Sequence, residues 1–114
     1  MEKIGERIKR LREAANISQE QLGRFLSIDQ STVAKIEAGE RNINTELIDK
    51  ISNLFCIRAY DLLYAEEINP KFKVAFRAKS IDESDFEAIA SFNKIVLNCE
   101  FLEEVEGRHL NDKN

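Results

Sequence analysis

Two short helical patterns, "SQEQLGRFL" and "DQSTVAKIEAG", meet across only a few residues between positions 18 and 42. That junction constrains the fold more than any other stretch of the chain. Counting from Gln19, the apolar residues Leu22, Leu26, Ile28, Val33 and Ile36 are spaced to hold two helices across a tight turn. Gly23 sits where the helices would approach most closely, so its missing side chain has a steric use. Ser18 followed by Gln21 forms a capping box ahead of the first helix. Asp29 is the natural N-cap of the second, and Gly39 ends it. In a helix starting at Gln30, the residues Gln30, Ser31, Ala34, Lys35 and Ala38 share one face, opposite Val33 and Ile36. A helix that merely filled a core would need no such polar face.

The flanking segments supply the rest of a helical bundle. "KIGERIKRLREAANIS" places Ile4, Ile8, Leu11 and Ala15 at helical spacing, with Asn16 as a C-terminal stop. Asn44 or Thr45 opens a fourth helix, whose apolar residues are Leu47, Ile48, Ile51, Leu54 and Phe55, and "AYDLL" forms a fifth. The expectation is an all-α unit of five helices over residues 1–64.

The tail has a different texture. Residues 65–71 contain the single proline, Pro70, and read as a linker. The stretch "KFKVAFRA" alternates, with Phe72, Val74, Phe76 and Ala78 on one side and Lys71, Lys73 and Arg77 on the other, the pattern of a half-buried strand over 72–78. Ser80 with Glu83 forms another capping box, ahead of a long helix over about 82–105. That helix has two apolar strips: Phe86, Ala90, Leu97 and Phe101 in one, and Ala88, Ile89, Phe92, Ile95, Val96, Cys99 and Leu102 in the other. A helix apolar on two sides packs on two sides. A lone strand is unstable without a partner. Residues 72–114 are therefore read as a dimerisation tail, with Phe72, Val74, Phe76, Phe86, Ile89, Phe92 and Val96 at the interface. The alternative is that the tail folds back on its own bundle. The fold class expected is mainly α, a five-helix bundle followed by a short strand and a long C-terminal helix.

Composition narrows the function classes. At 43% apolar and 33% charged, the 114 residues suit a soluble globular chain. No apolar run approaches the roughly 18–20 residues of a membrane span, and the charged start "MEKIGERIKRLRE" reads as no secretory signal. Cys56 and Cys99 fall in apolar helical patterns and read as reduced core thiols, which points to the cytoplasm. With one histidine, His109, and no nucleophile–base pair, metal cluster or phosphate loop, neither an enzyme nor a metal or cofactor site is expected. The net charge of −4 lies in the tail: residues 65–114 hold 7 basic and 11 acidic residues, whereas residues 1–64 hold 10 of each. A neutral half can still present a basic surface if its charges segregate by face.

The segments "RIKRLRE", "SQEQLG" and "STVAKIEAGER", with the apolar spacing of "LIDKISNLF", resemble the Cro/lambda-repressor-like (XRE) helix-turn-helix family from about Ile4 to Leu63. Two positions depart from its pattern: Ser27 stands where the turn usually has glycine, and Ile43 where proline is common. The resemblance implies a DNA-binding bundle whose third helix reads the major groove. Gln can pair bidentately with adenine, Ser with several base edges, Ala can meet a thymine methyl, and Lys can reach guanine or phosphate. By the same resemblance Gln19, Gln30, Ser31, Ala34 and Lys35 are the DNA-facing residues, and Arg41 and Asn42 the backbone contacts. Arg12 and Glu37 match family positions that form an internal ion pair. Alone, Gln19 and Gln30 read equally as solvated polar residues, Arg24 and Arg41 as surface charge, and Ser18 and Asp29 as caps.

More weakly, "FRAKSIDESDFEAIASFNKIV" resembles the segment that follows the helix-turn-helix in regulators linked to ImmA/IrrE-type metallopeptidases. The implied function is a homodimeric regulator, in sense a repressor, on palindromic double-stranded DNA. The competing reading is an antitoxin-like or anti-repressor adaptor, with a regulatory protein partner such as a separate metallopeptidase.

Overall fold

The first four helices of this chain are each stopped by their own backbone, and those stops set the architecture. The computed structural model describes residues 3–66 and 82–112, with side chains of the last helix as far as Cys99. Five helices fill the first part: α1 (Ile4–Ala14), α2 (Gln19–Leu26), α3 (Gln30–Glu37), α4 (Thr45–Leu54) and α5 (Ala59–Tyr64). A single 3-10 turn, Glu83–Asp85, then leads into α6 (Phe86–Asp112).

The chain leaves α1, α2, α3 and α4 through one left-handed residue each: Asn16 (φ 60°), Ser27 (φ 60°), Gly39 (φ 79°) and Cys56 (φ 54°). In every case the next residue's N–H reaches back five positions: Ile17 to Arg12 at 3.0 Å, Ile28 to Gly23, Glu40 to Lys35 and Ile57 to Ser52 at 2.9 Å. This Schellman closure satisfies carbonyls that the helix end would otherwise orphan. Only one of the four is glycine, and the left-handed conformation costs the others about 1–2 kcal/mol each. Burial of Ile17 and Ile57, and partial burial of Ile28, anchors the residue after each strained one and offsets that cost.

Helix starts are equally local. Ser18 Oγ accepts from the Gln21 N–H at 3.0 Å, while Gln21 Oε1 accepts from the Ser18 N–H at 2.9 Å. Asn44 caps α4 by accepting from the Leu47 N–H at 2.9 Å. Asp29 stands at the N-cap of α3 in extended conformation, but its carboxylate makes no capping bond.

The core lies between the helices, around Ile8, Leu22, Val33, Ile51, Leu54 and Leu62. Two glycines permit its closest approaches. A Cβ on Gly23 would stand 2.8 Å from the Ile28 carbonyl oxygen, and one on Gly5 would collide with the Ile36 carbonyl. Gly5 thus sets the α1–α3 distance, a role its sequence context does not announce. Arg7 is 1% exposed. Its guanidinium donates to the carbonyls of Asp61 (3.2 Å), Leu62 (3.1 Å) and Ala65, holding the end of α5 against α1.

The tail helix folds back on this core. Phe86 and Ala90 are buried with α4 and α2, and the Phe86 ring meets Phe25 edge-on with centroids 6.3 Å apart. Asn93, also buried, donates to the Leu54 carbonyl at 3.1 Å, taking up an acceptor at the end of α4. Phe86, which the pattern places among dimer contacts, is therefore used within its own chain. Ile89 packs partly against the same core, and Val96 is half-buried. Phe92 and Ile95 remain 66% and 61% exposed. Cys99 is exposed, not a core thiol, whereas Cys56 is buried.

The helix begins at Phe86, four residues after the expected start, and runs past 105 to Asp112. Ser80 lies outside the described residues. Glu83, its expected capping partner, is bound by Arg24 instead, and Asp85 accepts the Asp82 N–H at 3.2 Å. The expected strand over 72–78, with Phe72, Val74 and Phe76, also lies outside the described residues, which contain no strand. Among the described residues no helix is long and apolar enough to cross a membrane.

Candidate nucleic-acid interface

The surface formed by the start of α2 and the outer face of α3 is built on a buried ion pair. Arg12 Nε donates to Glu37 Oε2 at 2.7 Å and Arg12 Nη2 to Oε1 at 3.1 Å. Arg12 Nη1 donates to the Ile17 carbonyl at 2.8 Å. Both residues are buried, so the forked geometry and the third bond matter: a desolvated pair is tolerable only when its remaining donors and acceptors are satisfied.

Glu37 then reaches outward. Its Oε1 accepts from Gln19 Nε2 at 3.0 Å, and Gln19 Oε1 accepts from Gln30 Nε2 at 2.6 Å. The order follows from chemistry, since an ionised carboxylate only accepts. Gln19 must therefore present its NH2 to Glu37 and its oxygen to Gln30. Gln30 commits one N–H to Gln19 and keeps its carbonyl oxygen and second N–H. Those two groups are the pair needed to engage the N6 and N7 edge of adenine.

Gln30, Ser31 and Lys35 are exposed on α3, and Ala34 is half-buried beside them. Glu37, the only acid of that helix, is neutralised inside, so Lys35 is the one charged residue on its exposed face. Gln19 is half-buried at the first position of α2, where a helix end favours an anion. Arg41 and Asn42 are exposed in the segment between α3 and α4. The structure thus brings Gln19 and Gln30 into contact and leaves Ser31, Lys35, Arg41 and Asn42 open to solvent. The hydrogen-bonded line from Arg12 to Gln30 has no signature in local spacing, because its members come from three helices.

Arg24 is bound by the tail. It donates to Glu83 at 2.7 and 2.6 Å. The hydrogen bond from Arg24 holds the Glu83 carboxyl below the usual glutamate range, against an opposing desolvation effect that exceeds the further attraction of the Arg24 charge. Among the described residues no cluster of three or more His, Cys, Asp or Glu side chains could hold a metal.

Residues 8–57 match a helix-turn-helix family model. The chain is 27% identical over 81 residues to the HTH-type transcriptional regulator ImmR of Bacillus subtilis (strain 168), covering 71% of this chain and 64% of that protein. It is 32% identical over 65 residues to the HTH-type transcriptional activator BcrR of Enterococcus faecalis, covering 57% and 32% of the two chains. It is 31% identical over 68 residues to Antitoxin PezA of Streptococcus pneumoniae serotype 4, covering 59% and 43%. The chain thus spans 32% to 64% of the length of these relatives. No solved structure gives a significant match.

Proposed function

Because residues 8–57 belong to the Cro/lambda-repressor-like (XRE) helix-turn-helix family, we propose that this chain is a sequence-specific DNA-binding transcriptional regulator that lays α3 in the major groove. The observation that carries this reading is the Gln19–Gln30 contact, which fixes one amide on the outer face of α3 with a free donor and acceptor. Gln30, Ser31, Ala34 and Lys35 read base edges. Gln19, Arg41 and Asn42 hold the phosphate backbone and set the register.

One recognition helix of eight residues reads only a few base pairs. A homodimer on a palindromic operator, with half-sites about 10 base pairs apart, supplies the missing specificity. Residues 1–64 would bind DNA and residues 72–114 assemble the dimer, in the cytoplasm and as a repressor, with no catalytic step. Footprinting on the DNA upstream of the chain's own gene tests this. Protection of two symmetric half-sites supports the reading, and absence of any protected sequence defeats it. A reporter driven by that promoter gives the sign of regulation.

The similarity to an antitoxin favours a second reading, a protein-interaction adaptor that engages a separate partner such as a metallopeptidase. The exposed chemistry of α3 distinguishes them. An adaptor whose helix-turn-helix serves protein contacts would protect no DNA, whereas a DNA reader would lose its footprint on Gln30→Ala and Lys35→Ala.

A further inference from the structure

Glu37 is buried at the last position of α3, yet it stands at the head of a directional chain of hydrogen bonds that ends on the helix surface. As a carboxylate held by Arg12 it can only accept. Gln19 therefore gives it an N–H at 3.0 Å and turns its own oxygen toward Gln30, which donates to that oxygen at 2.6 Å. The direction of each bond fixes the next. We infer that this chain makes Gln30 a reader of adenine that rejects guanine, with Gln19 and Glu37 as the positioning residues that set the preference. The inference rests on α3 being a recognition helix, and deepens that reading by naming the base and what selects it.

In the major groove adenine offers an acceptor, N7, and a donor, the N6 amine, whereas guanine offers two acceptors, N7 and O6. A glutamine with its whole amide free can meet either base. It uses one N–H and its oxygen for adenine, or both N–H groups for guanine. Gln30 commits one N–H to Gln19, so a single donor and a single acceptor remain. Set before guanine, its carbonyl oxygen would face O6, two acceptors with no proton between them in a desolvated groove. The N4 amine of cytosine meets only the oxygen, and O4 of thymine only the N–H. Adenine alone satisfies both groups. To bind guanine with two donors, Gln30 would have to abandon Gln19 and leave the Gln19 oxygen unpaired.

The rest of α3 leaves this discrimination to Gln30. The helix carries no arginine, and its one acid is the buried Glu37. Lys35 can reach guanine, but it lies about 140° around the helix from Gln30 and serves a different position in the groove. Nor can Gln19 turn to relax the filter. Reversing its amide would set its oxygen against Glu37, acceptor on acceptor, at a distance of 3.0 Å. The base preference of an exposed side chain is thus written by a buried ion pair.

The test compares duplexes that differ at one base pair. Selection from random duplexes with the full chain supplies the operator. The pair whose replacement weakens the wild type but not Gln30→Ala marks the position that Gln30 reads. Replacing this A·T pair by inosine–cytosine presents the guanine pattern in the major groove and adds no N2 amine to the minor groove. The wild type should bind the A·T duplex at least about tenfold tighter than the inosine duplex. In Gln19→Ala, and in Gln19→Met, which keeps a long side chain without the amide, the ratio should fall to within about threefold. Each ratio is taken within one protein, so a loss of stability or of a phosphate contact weakens both duplexes alike and cancels. A tenfold ratio that persists in both Gln19 variants, a wild type that prefers inosine, or an operator with no pair read by Gln30 overturns the inference alone. A wild type that selects no sequence at all sinks the regulator reading and this inference with it.

Discussion

Gln30 Nε2 donates to Gln19 Oε1 at 2.6 Å, so the first residues of α3 and α2 are joined by their side chains across the turn between the helices. Gln19 is held in turn by Glu37, the last residue of α3, at 3.0 Å. The end of α3 thus orients the residue that orients its beginning. A flexible glutamine on a surface helix would lose rotamer freedom on meeting a base, a cost of up to about 1.5–2 kcal/mol. Here part of that freedom is already lost on folding.

Gln30→Ala should weaken operator binding by about 1–3 kcal/mol and leave binding to random DNA nearly unchanged. Gln19→Ala should produce part of the same loss without removing the reading group. The double variant should then cost less than the two losses added, because both act on one contact. Fluorescence anisotropy on operator and scrambled duplexes measures all three. Equal losses on both duplexes for Gln30→Ala would show that the residue does not read bases.

Glu37→Ala leaves Arg12 buried and unpaired and frees Gln19. Breaking one partner of a buried pair costs about 3–5 kcal/mol, so urea denaturation should show a large loss. Replacing Arg12 and Glu37 together by apolar residues of similar volume should recover much of it. Operator affinity should stay low in that double variant, since Gln19 has no anchor. Full recovery of affinity there would remove the orienting role assigned to Glu37.

Ser27 holds a left-handed conformation with its side chain in solvent. Ser27→Gly should stabilise the fold by about 0.5–1 kcal/mol, since the native strain it relieves exceeds the added freedom of the unfolded chain. Thermal melts decide this. A destabilised variant would mean that the hydroxyl has a role the backbone geometry does not reveal.

Two contacts fasten the tail to α2, and they should differ sharply in weight. Phe86→Ala removes a buried ring that meets Phe25 and should cost about 3–5 kcal/mol. Glu83→Gln removes an exposed ion pair and should leave the melting temperature within error. The Glu83 carboxyl is held below its ordinary value of 4.5, so the clamp is intact above that pH and is lost as pH falls through the lowered value. A carboxyl chemical-shift titration should show this low midpoint, and Arg24→Ala should move it upward. An unchanged midpoint in Arg24→Ala would mean that Arg24 does not hold the carboxylate.

Truncation after Tyr64, an apparently natural domain boundary, takes on a different meaning in the folded chain. Asn93 donates to the Leu54 carbonyl and Phe86 covers Phe25, so the cut removes part of the core as well as the tail. The truncated bundle should melt well below the full chain. Substitution of an exposed α6 residue, such as Phe92→Glu, is therefore the cleaner probe of assembly.

Local chemistry made much of this protein legible from its residues alone. The starts of α2 and α4 follow from a Ser–Gln capping box and from an asparagine cap. The end of α3 follows from Gly39. The polar face of α3 follows from the 3.6-residue period, as does the inward set around Leu22, Val33 and Ile51. These depend on neighbours a few residues apart, which is the range over which a helix communicates with itself.

The tertiary structure decided what period and spacing leave open. Periodicity marked two apolar strips on α6 but could not say which would meet the chain's own α4. That choice follows from the Phe25 edge and the Leu54 carbonyl, 61 and 39 residues away from Phe86 and Asn93 in sequence. Arg7 reads as one more surface cation in "GERIKRLRE", yet it lies buried because the carbonyls at the end of α5 are there to receive it. Gln19 and Gln30 could each have been solvated side chains, and only the position of Glu37 beneath Gln19 turns them into one oriented pair. A helical sequence determines which residues share a face. What that face binds is set by groups distant along the chain, because hydrogen bonds and packing act through space and sequence period acts along a single helix.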